Sequence, residues 1–377
     1  MSILKVDELQ SRTSGNRITL PDVNNYPPYR NLIINGDMSI AQRGTSATSV
    51  SSSGYHSLDR FRFGFNETDE LVATISQDTD VPSGQGFANS MKFEVTTPET
   101  TLATDEILQI VHRMEGQNTQ NLKYGTSSAE SLTLSFWVKS SITGTYVITF
   151  KNNDPSAGTR LNVNTYTINS ANTWEKKTIT ITGDTTANTN FVNTNAKGLE
   201  LNWCLAAGGS YQGTSSSGWT SYGAEKLFNG QSANVITTSG ATWLITGVQL
   251  EVGKFATPFE FLPYDVNLQR CFRYYELLAA GYAKMLGFGG AYNANTPAFV
   301  SYYHPKRTTP SIDQTSGAGY YRIYGNGVEY TWSAYSALFQ ASTTQAMLLG
   351  SGTIPQGLIG LFDTISGSSY IAYDAEL

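Results

Sequence analysis

Cysteine is nearly missing from this chain. Cys204 and Cys271 are the only two among 377 residues, so no disulfide framework or thiolate metal cluster is encoded, and both are expected as buried thiols. Histidine is almost as scarce. His56, His112 and His304 are scattered, with no H-x-x-x-H or Ser-His-Asp arrangement around them, which argues against a metal-dependent or triad hydrolase. Charge is low as well: 14% of residues carry one, the net charge is -6 and the pI is near 5.2. Lys and Arg form no cluster, so the electrostatic footprint that phosphate binding requires is absent and no nucleic-acid partner is expected. No apolar run approaches the ~20 residues of a spanning helix, which excludes insertion by a helix. The opening "MSILKVDELQSRTSGN" lacks the apolar core of a signal peptide, and synthesis in a cytoplasm is the corresponding expectation. Sustained heptads, a G-X-Y period and repeats of 20 to 50 residues are also lacking, so a long fibrous shaft is not encoded. No cofactor is expected.

What the chain has in quantity is glycine (35 residues) and aromatics (12%), set in a background of Ser, Thr and Asn; this balance favours a β-rich protein with many turns. Its length suits two or three domains. Residues 1–30 carry Gly15, Pro21, Pro27 and Pro28 among few apolar residues, too few to form a core, and read as an extended arm.

From there to residue 264 the grammar is alternation. "SLTLSFWVKS" sets Leu132, Leu134, Phe136 and Val138 against Thr133, Ser135, Trp137 and Lys139, one face being core. "SITGTYVITFKNN" reads as a turn at Gly144 returning as the second strand of a hairpin. "WEKKTITITGD" puts Ile179 and Ile181 inward. "KGLELNWCLAAGG" does the same with Leu199, Leu201, Trp203 and Leu205, and "TWLITGVQLEVG" with Leu244, Val248, Leu250 and Val252. Fainter strands stand at "LDRFRFGF", "ELVATISQ", "ANSMKFEVTT" and "EILQIVHRM". The expectation is two sheets packed face to face, a jelly-roll β-sandwich over 31–264. Phe255, Phe259, Phe261 and Tyr264 would seal its edge, with Pro258 and Pro263 ending regular pairing.

Asp265 is a good N-cap for "VNLQRCFRYYELL", which predicts a short amphipathic connecting helix over 265–280 with Leu268, Cys271, Phe272, Tyr275 and Leu278 on its apolar face. Residues 281–377 return to β signals and form a second, smaller C-terminal β domain. The fold class is therefore mainly β: arm, jelly roll, short α-helix, distal β domain.

Several ordered blocks resemble a known family. "NLIINGDMSIAQRGTS" with "YHSLDRF" is similar to the opening of the carbohydrate-binding-module-like jelly roll found in bacteriophage tail fibre and virion structural proteins; the matching positions are Asn31, Asn35, Gly36, Asp37, Gln42, Arg43, Gly44, Asp59 and Arg60. "LTLSFWVKSSITGTYVITF", "TWEKKTITITGD", "ITGVQLEVGKFATPFEFLPYDVNLQRCFRYYE" and the closing "YIAYDAEL" fit the same family, and the first 22 residues resemble the beginnings of marine and cyanobacterial phage structural proteins. The resemblance covers about residues 31–280. It implies a virion appendage: an N-terminal arm that attaches to other virion proteins, a homotrimer as is usual for such parts, and β domains presented to host cell-surface polysaccharide. A polysaccharide depolymerase tailspike is the alternative of another class, and a head-fibre, collar or capsid-decoration protein without receptor binding is a third.

No catalytic residue is singled out. Asp37 and Asp59 belong to the family opening and are read as fixing a turn or pairing with Arg43 or Arg60; the alternative is a structural calcium near them. Glycan recognition needs aromatic faces beside amide and carboxylate groups. Tyr211, Gln212, Trp219 and Tyr222 in a Gly- and Ser-rich loop meet that description, with Trp219 and Tyr222 plugging the sandwich end as the competing reading, and Trp137 is a further candidate. In the distal domain Tyr321, Tyr324, Tyr330 and Trp332 suit a subunit interface or a receptor-facing tip.

Overall fold

The computed structural model describes residues 29–153, 155–214, 217–293, 296–317 and 319–377. The arm expected over 1–30 lies outside the described residues except for Tyr29 and Arg30.

Twelve strands build the sandwich. One six-stranded sheet runs β1 (Ser46–Val50), β3 (Val72–Asp78), β4 (Ser90–Thr97), β12 (Thr242–Val252), β6 (Leu132–Ser140), β9 (Glu175–Ile181). The other runs β11 (Trp219–Ser221), β8 (Arg160–Ile168), β7 (Gly144–Asn152), β10 (Lys197–Ala207), β5 (Ile107–Glu115), β2 (Phe61–Asn66). All pairs are antiparallel. The alternating positions of the sequence supply the interior: Phe136 and Val138, Ile148 and Phe150, Leu201 and Trp203, Trp243 and Ile245 are all buried in one cluster. Aromatic edges interlock the two sheets, with Phe136 meeting Trp203 edge-on at 6.1 Å.

Two expectations change. The turn at Gly144 does not close a hairpin: β6 lies in the first sheet and β7 in the second, and β7 pairs instead with β8. The chain crosses between layers there because both strands have one face to bury, and facing sheets satisfy both at once. In β12 the inward set is Trp243, Ile245, Val248 and Leu250, whereas Leu244 lies on the opposite face and Val252 is exposed. A bulge between Thr246 and Gln249 shifts the alternation by one residue. Gly247 makes it possible, with φ +61 and a position where a Cβ would lie 2.5 Å from the Phe87 ring.

The helix is shorter than expected. It spans Tyr264–Phe272 (α1), follows Pro263 directly, and has no side-chain cap; Asp265 sits in its first turn. Residues Tyr275–Ala280 are strand (β13), not helix, because their partner is the distant segment Tyr370–Asp374 (β22). With β16 (Ser311–Gln314) these form a three-stranded sheet, and seven further strands complete the C-terminal domain: β18 (Val328–Trp332), β17 (Tyr321–Gly325), β21 (Ile359–Thr364), β14 (Met285–Asn293), β15 (Thr296–Tyr302), β20 (Gln345–Gly350) and β19 (Tyr335–Phe339), in that sheet order. Of the rings expected to seal the sandwich edge, Phe259 and Phe261 pack on Phe87 at 5.1 and 5.2 Å. Phe255 and Tyr264 are exposed.

The block from Asn31 to Arg60 is a junction. Asn31 donates to the Val248 carbonyl (3.1 Å) and accepts from the Leu250 amide (3.0 Å), filling the gap left by the bulge. Gly36 lies against Val248 so closely that a Cβ would sit 2.1 Å from its carbonyl oxygen. Asn35, at φ +63, bonds the Ile40 amide and the carbonyls of Ile40 and Asp59. Arg60 is fully buried, stacks 3.4 Å over the Tyr274 ring, and is ion-paired with Glu376. Arg113 donates to the Leu377 carbonyl, and Arg307 to those of Ala375 and Glu376 (2.7 and 2.9 Å). Residues 374–377 are thereby clamped between the sandwich and the C-terminal domain.

Removing one member of a buried ion pair leaves the other charge uncompensated. Arg60→Ala is expected to lower unfolding stability by roughly 3–5 kcal/mol in urea denaturation. Glu94→Gln, which breaks the part-exposed Lys92–Glu94 pair (2.6 Å), should cost less than about 1 kcal/mol. Equal losses would show that the junction carries no special share of stability.

Candidate binding cleft at the domain junction

The residues singled out in the sequence scatter across the molecule. Trp219 starts β11, packs edge-on against Tyr124 at 5.3 Å and donates its indole N–H to the Thr182 carbonyl (2.9 Å). It is partly buried against the edge of the sandwich core. Tyr211 accepts from Asn66 (3.3 Å) and packs on the cluster around Leu227 and Phe228, while Gln212 donates to the Ala207 carbonyl (2.6 Å). These two residues hold the loop onto the outer face of the second sheet. Tyr222 is exposed, with the Lys151 ammonium 5.4 Å from its ring centre. Trp137 is half-buried on the outer face of β6, between Lys176 and Thr246 in register. In the distal domain Tyr321 (0% exposed) and Trp332 (4%) are core, which removes them from any surface role; both lie on the inner face of the seven-stranded sheet. Tyr330 packs against that core and Tyr324 is exposed.

Asp37 and Asp59 have separate tasks. Asp37 accepts from the Ser39 hydroxyl and the Asn267 amide, 3.0 Å each, tying the opening to α1. Asp59 accepts from the backbone N–H and side-chain amide of Gln42. Each carboxylate is engaged by protein donors, and among the described residues no group of three or more His, Cys, Asp or Glu could hold a metal ion. The calcium reading has no support from this geometry.

The junction itself opens into a cleft of ≈ 630 Å³. One wall is the opening block, with Gln42 and Arg43, together with Tyr55 and His56; the other is the three-stranded sheet, with Tyr275, Asp313 and Tyr370; residues 367–369 form the rim. Asp313 accepts from the hydroxyls of Tyr275 (3.1 Å) and Tyr370 (2.9 Å). A carboxylate offers about four acceptor positions, so two remain for a ligand. Burial, with the Asp313 hydrogen bond and charge, pushes the Tyr370 phenol up to about 12. Burial raises Tyr275 too, against the pull of Arg43. Both therefore stay protonated as donors at neutral pH.

Arg43 lies 3.5 Å over the Tyr275 ring and pairs with Asp374 at 3.3 Å. Burial opposes its charge, but Glu376, Asp59, Tyr275 and Asp374 outweigh that and hold its pKa above the ordinary value. Its Nη1 is buried 3.6 Å from Glu376 Oε1, so the guanidinium is held in the wall by the chain's own carboxylates. His56 is pushed down by burial and by Arg43 and Arg62, against the Ser52 carbonyl, and is neutral at pH 7. A cleft of this size with convergent donors and acceptors can hold a hydroxyl-rich ligand of one to a few rings. Tyr55, Asp313 and Tyr370 carried no pattern in the sequence, since two domains bring them together.

No family model matches the chain, and no curated protein matches it in sequence. Among solved structures it is similar to the enzymatically active domain of tailspike protein 4 of bacteriophage CBA120, at 14% identity and a TM-score of 0.32, over 60% of this chain and 22% of that one. It is also similar to the family 11 carbohydrate-binding module of a cellulosomal cellulase of Clostridium thermocellum, at 11% identity and a TM-score of 0.28, over 59% of this chain and 96% of that one. A third is a CBM22 xylan-binding domain from Paenibacillus barcinonensis, at 11% identity and a TM-score of 0.23, over 56% and 94%. The chain spans less than a quarter of the tailspike chain's length. At these scores the likenesses carry no argument about binding. The mainly β architecture rests on the chain's own strand order.

Asp59 allows a test of the junction. Complete burial raises its carboxyl from 3.8 to about 6, with Arg43 and the Gln42 hydrogen bonds pulling the other way. Between about pH 4 and 6 the folded state holds a proton that the unfolded chain has released, so this group lowers stability as pH rises through that window. Asp59→Asn should therefore gain on the wild type from pH 4 to 6 in urea midpoints, since other carboxylates cancel in the difference. A difference independent of pH would contradict the assignment.

Proposed function

We propose that this chain is a phage virion structural protein, a tail fibre or other fibre-like appendage, that assembles as a homo-oligomer, attaches to the particle through residues 1–30 and reads host cell-surface polysaccharide without degrading it. The observation that supports this reading is the convergence of the resembling blocks. Asn31, Asn35, Gln42, Arg43, Asp59 and Arg60 from the opening, the segment after β12, and "YIAYDAEL" at the other extreme of the sequence meet in one hydrogen-bonded junction. Scattered chance matches have no reason to be neighbours in space. The glycan part rests on the cleft, whose tyrosine hydroxyls, carboxylate and guanidinium fit the hydroxyl groups of a sugar.

Binding is favoured over hydrolysis by how the acids are used. Glycosidases need two carboxyl groups flanking the bond, one free to donate a proton. Asp374 and Glu376 are held by Arg43 and Arg60 and Asp59 is closed off by Gln42, so Asp313, the one acid among the cleft's described lining residues, has no second free carboxyl group to work with.

A panel of bacterial surface polysaccharides probed with the full chain should give selective binding and no new reducing ends. Asp313→Ala should weaken it about tenfold or more, the scale of a lost hydrogen bond to a charged group. Ser368→Trp, which narrows the cleft from an exposed rim position, should act alike without touching the junction. Flat binding across the panel would favour a collar or decoration role. Released reducing ends would favour a depolymerase, and loss of binding in Tyr222→Ala alone would move the site to the outer face of the second sheet.

A further inference from the structure

The seven-stranded sheet of the C-terminal domain buries one face and leaves the other bare. On its inner face lie Tyr321, Ile323, Trp332, Phe299, Leu348 and Phe362, the core of the domain. On the outer face the registers align one apolar residue from each of six strands into a row that crosses the sheet, with Glu329 of β18 at its end beside Tyr324. Tyr324 is opposite Leu361, and Leu361 opposite Phe288. Gly289 is opposite Phe299, which sets Phe288 beside Val300. Val300 faces Met347, and Met347 faces Phe339. Of these six apolar side chains, five are between 38% and 64% exposed. Met285, Tyr302 and Ile359 are exposed too, one strand position away on either side of the row.

Such a surface is out of proportion for a monomer. With aromatic side chains of about 150–250 Å² each, the row and its flanks expose on the order of 800 Å² of apolar area. The largest apolar patch on a typical monomer is about 300–600 Å². A standard interface buries roughly 800 Å² per partner. Among the described residues, the charges on this face, Arg322, Glu329 and Asp363, pair with one another. Arg322, at its edge, is bound by Asp363 through two hydrogen bonds (2.7 and 2.8 Å) and also pairs with Glu329, so the charges there are spent within the chain. A foreign charged surface would find nothing to complement. An uncharged sheet face of the same twist would.

We propose that the outer face of this sheet, centred on Phe288 and Leu361, is where a second copy of this chain docks. The two faces pack as sheets do in a sandwich, about 10 Å apart, with side chains from both rows interleaved. This rests on the homo-oligomer of the preceding section and gives it a two-fold contact, which joins chains in pairs and not in the threes that the resemblance implies; it is independent of the cleft, which lies on the three-stranded sheet. Tyr324 has its place here as an interface ring. Tyr321 and Trp332, on the other side of the same sheet, hold the strands that present it.

Sedimentation of the full chain over a range of concentrations tests the assignment. Wild type is expected to be an oligomer at micromolar concentration. Phe288→Glu combined with Leu361→Glu sets four carboxylates into the apolar contact and should raise the dissociation constant at least about a hundredfold. Polysaccharide binding should remain, which separates a failure here from a failure of the glycan reading. Phe288→Ser is a milder change at an exposed position and should weaken association in the same direction while retaining the strand signal in circular dichroism. A wild-type chain monomeric at about 100 μM would overturn the proposal. So would folded face variants that associate as wild type does.

Discussion

A buried guanidinium organises this molecule. Arg60 stands at the meeting point of the sandwich, the helix and the residues that follow β22, with no exposure to solvent. A charge in that position is tolerable only when its partners are all in place. Glu376 supplies the counter-charge, the Arg113 carbonyl accepts at 2.7 Å, and the Tyr274 ring covers the flat face at 3.4 Å. These partners come from three parts of the sequence. The demand for all of them ties the first block after the arm to the final residues and makes the two β domains one unit.

The cleft is a by-product of that constraint. Holding residues 374–377 against the sandwich brings the three-stranded sheet close to the opening block, and the space between them inherits polar groups from both. Arg43 belongs to the junction through its ring contact with Tyr275 and its pairing with Asp374, and the same residue lines the space. The seven-stranded sheet stands apart from this arrangement. Its inner face shares a core with Ala279, Ile371 and Tyr373 of the three-stranded sheet, and its outer face has the area and neutrality of an interface.

Much of the sandwich was legible in the sequence because alternation reports burial residue by residue. Leu199, Leu201, Trp203 and Leu205, or Ile179 and Ile181, could be set inward without a structure. The sheet assignment of β6 and β7 could not, since a turn at Gly144 serves equally for a hairpin and for a crossing between layers. Nor could the shift in β12, where Gly247 and a one-residue bulge put Leu244 on the face opposite Val248 and Leu250, and where Val252 ends the strand exposed. The helix was overextended for a related reason: Tyr275 and Leu278 continue a helical period, but strand pairing with residues almost a hundred positions away took them. Single aromatic residues were the least legible. Tyr321, Tyr324, Tyr330 and Trp332 lie within a dozen positions of each other, and two proved core while one is fully outside.

The sequence by itself determined that the chain is mainly β and that its strands have one face to bury. Local pattern suffices for these because side-chain periodicity and composition are properties of neighbouring residues. Only the tertiary structure decided that the opening block locks onto residues 374–377 and walls one side of a cleft between Arg43 and Asp313, and that one sheet face is left bare. Each of these depends on contacts between segments up to about 300 residues apart, and the free energy of such contacts is set by what else is buried at the same point in space.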